Sequence, residues 1–235
     1  MYKSIMPAWN DRNLRELAKH ISAPIFFAHI RASTGTPVQE TNAHPFRHGR
    51  WLFMHNGFVR EFPRVRRDLL LAVDPELFPE IVGSGDTEVL FYLALTFGLQ
   101  DDPLTAIERM AGFVEEVGHN HGVEYPLKMT VATSDGTRII AARYSSDGQP
   151  GSLFFSTLVS ALKELHPDIE EIQGLSDDVR AIVSEPLGDV VGAWNAVPPS
   201  TIGIVKPGQD ELYEFTPRRP GDTTSPKERV SLRPS

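Results

Sequence analysis

Apolar spacing divides the chain into a helix-rich first half and a strand-rich second half. Leu14, Leu17, Ala18 and Ile21 recur at i, i+3, i+4 and i+7 behind Asn10 and Asp11. That spacing predicts a capped helix ending before Pro24. Residues 25–30 are apolar almost throughout and predict a strand buried on both faces. Residues 32–49 are rich in Thr, Pro and His and predict a loop. Residues 50–54 predict a second strand, and Asn56-Gly57 a tight turn suited to positive φ. Val65, Leu69, Leu70 and Val73 form one face of a helix over 61–73, which Asp74-Pro75 stops. The loop Gly83-Ser84-Gly85 feeds Asp86-Thr87-Glu88 and an apolar helix over 89–97, with Gly98 as its C-cap. Pro103 opens an amphipathic helix reaching about 117. After Pro126 the period becomes two: 128–133 and 137–144 flank Ser134-Asp135-Gly136 as a hairpin. Further strands are expected at 153–156, 179–183, 200–205 and 212–215, with a helical turn over 157–165. Runs of helices and runs of strands, without strict βαβ alternation, predict an α+β fold.

Composition narrows the function classes. The chain has 235 residues, enough for a full core, with 40% hydrophobic and 23% charged residues. Net charge is −8, from 23 basic and 31 acidic residues, which disfavours nucleic acid and anionic membranes as partners. No apolar run approaches the roughly 18 residues of a membrane span, and the first residues do not form a signal peptide. A cytoplasmic location is the default expectation. From residue 217 the sequence turns to Pro, Arg, Ser and Thr, so a single domain over 1–216 and a disordered tail over 217–235 are expected. The cysteine count is zero, which removes disulfides, thiolate ligands and any cysteine nucleophile within the chain.

Candidate chemistry concentrates in four blocks: His29-Ile30-Arg31-Ala32-Ser33-Thr34, Asn42-Ala43-His44-Pro45, His55-Asn56-Gly57 and Asp86-Thr87-Glu88. Read alone, Arg31 is a surface cation, Asn56-Gly57 a turn and Asp86 a helix cap. His44, His48 and His55 suggest a metal cluster only weakly, because Pro45 and Gly49 oppose a helix there. No metal or cofactor is expected.

Together the four ordered blocks resemble the glutaminase domain of class II glutamine amidotransferases, which are N-terminal-nucleophile hydrolases. Pro7-Ala8-Trp9 and Ser184-Glu185-Pro186-Leu187 extend the resemblance to the small stand-alone branch. That branch includes the amidohydrolase of ergothioneine biosynthesis and the γ-glutamyl hydrolase of glutathione degradation. The resemblance implies a four-layer αββα sandwich and a small-molecule substrate, glutamine or a γ-glutamyl amide. It assigns the oxyanion hole to the Asn56 side chain and the Gly57 backbone N–H. It assigns the substrate α-carboxylate to Arg31, a hydroxyl contact to Thr34 and the α-ammonium to Asp86. His44 and His55 are expected to shape the loops rather than carry protons. Ala32 and Gly35 replace bulkier family residues and imply a roomier pocket. The family's nucleophile is a cysteine directly after the initiator Met; here position 2 is Tyr. The resemblance therefore implies a chain truncated at its N-terminus, lacking the first strand or strands and inactive as it stands. The alternative is a non-catalytic binding or regulatory module.

Overall fold

The computed structural model describes residues 1–30, 38–206 and 210–222. Its larger sheet is antiparallel and runs β1-β2-β3-β4-β8-β9. The members are β1 (Phe46–His48), β2 (Trp51–Val59), β3 (Leu127–Ser134), β4 (Ile139–Ser145), β8 (Thr201–Val205) and β9 (Glu211–Glu214). A smaller antiparallel sheet runs β6-β5-β7, from β5 (Phe154–Ser156), β6 (Ile182–Val183) and β7 (Trp194–Ala196).

Alternation along β2 decides the layers. Trp51, Phe53 and Val59 are buried with the helices, and Phe53 stacks on Phe91 with ring centroids 5.2 Å apart. Those helices are α2 (Phe62–Leu71), α3 (Asp86–Thr96) and α4 (Pro103–Asn120). Val65 and Leu69 of α2 are buried, as the spacing predicts. The middle of α3 is apolar all round and buried from Val89 to Leu95. On the opposite face, Ala141, Val205 and Leu212 pack against Leu153, Phe155 and Val197, joining the two sheets. Beyond the small sheet, Leu162 of α5 (Val159–Leu165) and Ile172 of α6 (Glu170–Gln173) pack with Ala193 and Trp194. The layers are α, β, β, α, so the expected α+β sandwich is what the chain forms. The small sheet covers the β4-β8-β9 side, leaving the β2–β3 side of that face open.

Several local expectations are corrected. Residues 25–30 form no strand, and Phe26 and Ile30 are 76% and 79% exposed. An apolar run supplies no pairing partner by itself, and β1 forms the edge of the large sheet instead. The expected first helix is present as α1 (Arg12–His20), capped by Asp11 through the Leu14 N–H, but it buries no residue. Asn56-Gly57 is not a turn. β2 continues through both residues, and its register with β3 holds from Leu52↔Ser134 to Val59↔Leu127. A long ladder outweighs a local dipeptide preference. Residues 217–222, which fall inside the expected tail, lie along α4, and the rest of that stretch lies outside the described residues. Arg218 donates from its backbone N–H to the Glu108 carbonyl at 3.0 Å and from Nε to Glu108 Oε2 at 2.9 Å. Thr216 N–H donates to Glu108 Oε1 at 3.3 Å. Gly112 permits this approach, since a Cβ there would sit 2.1 Å from the Arg218 carbonyl oxygen.

Candidate active site

The uncovered β2–β3 face forms one wall of a cleft of about 2070 Å³. Asn56, Gly57 and Asp86, separated by up to thirty residues in sequence, all line it. Arg31 and Thr34 lie outside the described residues.

Asn56 is solvent-exposed on β2, opposite Thr130 of β3. Thr130 is buried, and its Oγ1 has no hydrogen-bond partner among the described residues. Gly57 has φ of 145°, and a Cβ there would lie 2.0 Å from the Lys128 carbonyl oxygen and 2.7 Å from His55 Nε2. Only glycine fits that position. His55, 3% exposed, faces the helix layer beneath it. Its Nε2 is 3.2 Å from the Lys128 carbonyl oxygen and its Nδ1 is 3.0 Å from Thr87 Oγ1. The carbonyl only accepts, so the proton belongs on Nε2 and the Thr87 hydroxyl donates to Nδ1. Burial pushes the imidazole pKa down, against the pull of the nearby Asp86 carboxylate. A neutral, doubly bonded His55 is a strut joining β2, β3 and α3.

Asp86 opens α3, where a carboxylate complements the helix dipole. The Val59 N–H donates to its Oδ2 at 2.8 Å, which fixes the start of α3 to β2. The turn before it is held just as closely. Asn42, 2% exposed, accepts from the Ser84 N–H at 2.9 Å and the Gly85 N–H at 3.2 Å through Oδ1. Its Nδ2 donates to Ser84 Oγ at 3.2 Å. Glu88, 3% exposed, accepts from the Val82 N–H at 3.2 Å and the Gly83 N–H at 2.6 Å. Burial pushes the Glu88 carboxyl pKa up.

The three histidines do not converge. His44 packs on His29 and Phe46, with ring centroids 4.1 and 5.2 Å away. His48 Nδ1 lies 2.9 Å from Glu80 Oε2, and His55 is the strut. Among the described residues no group of three His, Asp or Glu side chains gathers as a metal site. Sequence reasoning missed Asn42, Glu88 and Thr130 as site residues. Asn42 and Glu88 stood inside the four blocks, but nothing local showed what they touch.

The candidate site is thus a cleft in an αββα frame, lined by Asn56, Gly57 and the Asp86 carboxylate at a helix start. The chain matches the family described as Glutamine amidotransferases class-II over residues 8–229. It belongs to that family. It is 32% identical over 246 residues to the Probable glutamine amidotransferase DUG3 of Saccharomyces cerevisiae, covering 92% of this chain and 69% of that protein. A glutamine aminotransferase class-II domain protein from Silicibacter pomeroyi shares its structure with a TM-score of 0.77 at 33% identity, over 92% of this chain and 86% of the other. A shorter match, 32% over 59 residues, links a quarter of the chain (25%) to 26% of the Gamma-glutamyl-hercynylcysteine sulfoxide hydrolase of Mycolicibacterium smegmatis. Among the described residues no helix is long and apolar enough to cross a membrane.

Proposed function

We propose that this chain carries the binding half of a γ-glutamyl amidohydrolase site, taking glutamine or a larger γ-glutamyl amide. The convergence of Asn56, Gly57 and Asp86 on one cleft carries this reading. In it, the Asn56 amide and the Gly57 N–H receive the amide oxygen of the ligand. Each such donor is worth about 2.7–4 kcal/mol where charge develops on that oxygen. Asp86 accepts the α-ammonium, and Arg31 takes the α-carboxylate as a planar two-pronged donor. A cleft of about 2070 Å³ favours γ-glutamyl compounds larger than free glutamine. The names of the hydrolase and amidotransferase relatives support the γ-glutamyl class.

Amide cleavage in this family's manner needs a nucleophile, and the chain has no cysteine. The chain as it stands therefore binds without turning over. Titration calorimetry with L-glutamine and with a γ-glutamyl dipeptide tests this. Measurable heat at millimolar ligand, with no ammonia released, is the expected result. Arg31→Ala should lower affinity by at least about tenfold. No heat with either ligand, or unchanged affinity in Arg31→Ala, would sink the assignment.

A further inference from the structure

Asn42 belongs to a sequence block that the proposed chemistry leaves without a role. Its neighbours in space are 42 and 43 residues away, in the turn that delivers Asp86 to the cleft. Four successive backbone N–H groups in that turn, from Val82 to Gly85, are all accepted by just two side chains, Glu88 and Asn42. Free N–H groups before a helix normally turn to water, and a turn rich in glycine normally samples many shapes. Here neither happens. Gly83 is boxed in: a Cβ would lie 2.7 Å from Glu88 Oε2, 2.8 Å from Asn42 Oδ1 and 2.9 Å from the Thr41 carbonyl oxygen. The helix therefore starts at one place only, and Asp86 meets the Val59 N–H with its Oδ2.

We propose that Asn42 is a positioning residue for recognition of the ligand's α-ammonium, acting through the 82–85 turn to fix Asp86. This rests on the reading of Asp86 given above. Asn42 lines the same cleft, but its Oδ1 and Nδ2 are both engaged by the turn, so the ammonium contact falls to Asp86. Its removal orphans the Ser84 and Gly85 N–H groups and lets the start of α3 fray. The loss falls on the ammonium end of the ligand and leaves the amide end untouched.

That division supplies the test. L-Glutamine and its des-amino analogue glutaramic acid share an amide and a carboxylate and differ in the ammonium group. Calorimetry on the full chain should show wild type preferring glutamine by about tenfold or more. Asn42→Ala should lose that preference, with glutamine weakened about tenfold and glutaramic acid unchanged. Ser84→Ala removes the hydroxyl that accepts from Asn42 Nδ2 at 3.2 Å and from Gln39 Nε2 at 3.4 Å, keeps the Ser84 N–H, and should lose about threefold on glutamine alone. It serves as the milder variant if Asn42→Ala folds poorly. Amide hydrogen exchange should show Ser84 and Gly85 deprotected in Asn42→Ala. Equal weakening of both ligands, or an intact glutamine preference despite deprotected amides, overturns the positioning role while leaving Asp86 in place. A wild type that does not distinguish the two ligands overturns the Asp86 reading itself, and the proposal with it.

Discussion

Two buried glutamates on neighbouring helices do the same job for different purposes. Glu88, at the start of α3, and Glu108, in α4, are 3% and 0% exposed. Each collects backbone N–H groups from a segment that would otherwise lie loose. Glu108 also takes a guanidinium, from Arg218, and so tethers the chain beyond β9 to the helix layer. Glu88 takes the Val82 and Gly83 N–H groups, and its carboxyl is pushed up by burial. Buried charge that is paired holds structure together; buried carboxyl satisfied by a turn shapes that turn. The first should be felt in stability everywhere, the second at the cleft.

Breaking the pair on α4 should give the largest effect. Arg218→Ala takes the guanidinium away from the buried Glu108 carboxylate, and breaking a buried pair in this way typically costs about 3–5 kcal/mol. Urea unfolding should show that loss, with glutamine affinity unchanged for the folded fraction; a loss below about 1 kcal/mol would remove the contrast. Glu88→Ala comes next. It removes the acceptor of the part-buried Val82 and Gly83 N–H groups, each bond worth about 0.5–1.5 kcal/mol, and should weaken glutamine binding as well. A Glu88 variant that destabilises without touching affinity would make the two glutamates equivalent.

His55 sharpens the cleft side through pH. Its folded pKa lies below the ordinary 6.5, so the unfolded chain binds its proton more readily. Stability from neutral His55 is therefore full above 6.5 and is lost as pH falls below that value towards the folded pKa. The melting temperature should drop between pH 7.5 and 5.5, by less in His55→Gln. The smallest effect belongs to His48→Ala. Its partner Glu80 has a side chain 45% exposed, so the pair is worth under about 1 kcal/mol. Thermal melts should barely separate that variant from wild type.

Legibility in the sequence followed the range of the forces. The helices α2 and α4 were readable because one apolar stripe per helix is enough to choose a face, as Val65 and Leu69 do. The hairpin of β3 and β4 was readable from its turn residues. Residues 25–30 misled because an apolar run says nothing about which strand would pair with it. Asn56-Gly57 misled because eight registered pairs between β2 and β3 override a two-residue signal. Of the site, Asn56, Gly57 and Asp86 were singled out from ordered motif blocks and do line one cleft. Asn42 and Glu88 were not, because each is defined by N–H groups elsewhere in the chain.

The width of the cleft has a kinetic side. Small-molecule sites usually enclose about 300–1,000 Å³. At about 2070 Å³ this one lets a free amino acid touch a single wall while water keeps the other. If a site this open needs no opening motion for entry, differences in affinity between ligands should lie mainly in how quickly each one leaves. Each further residue on a γ-glutamyl compound that reaches across to the β6 side should lengthen its dwell time more than it speeds its arrival.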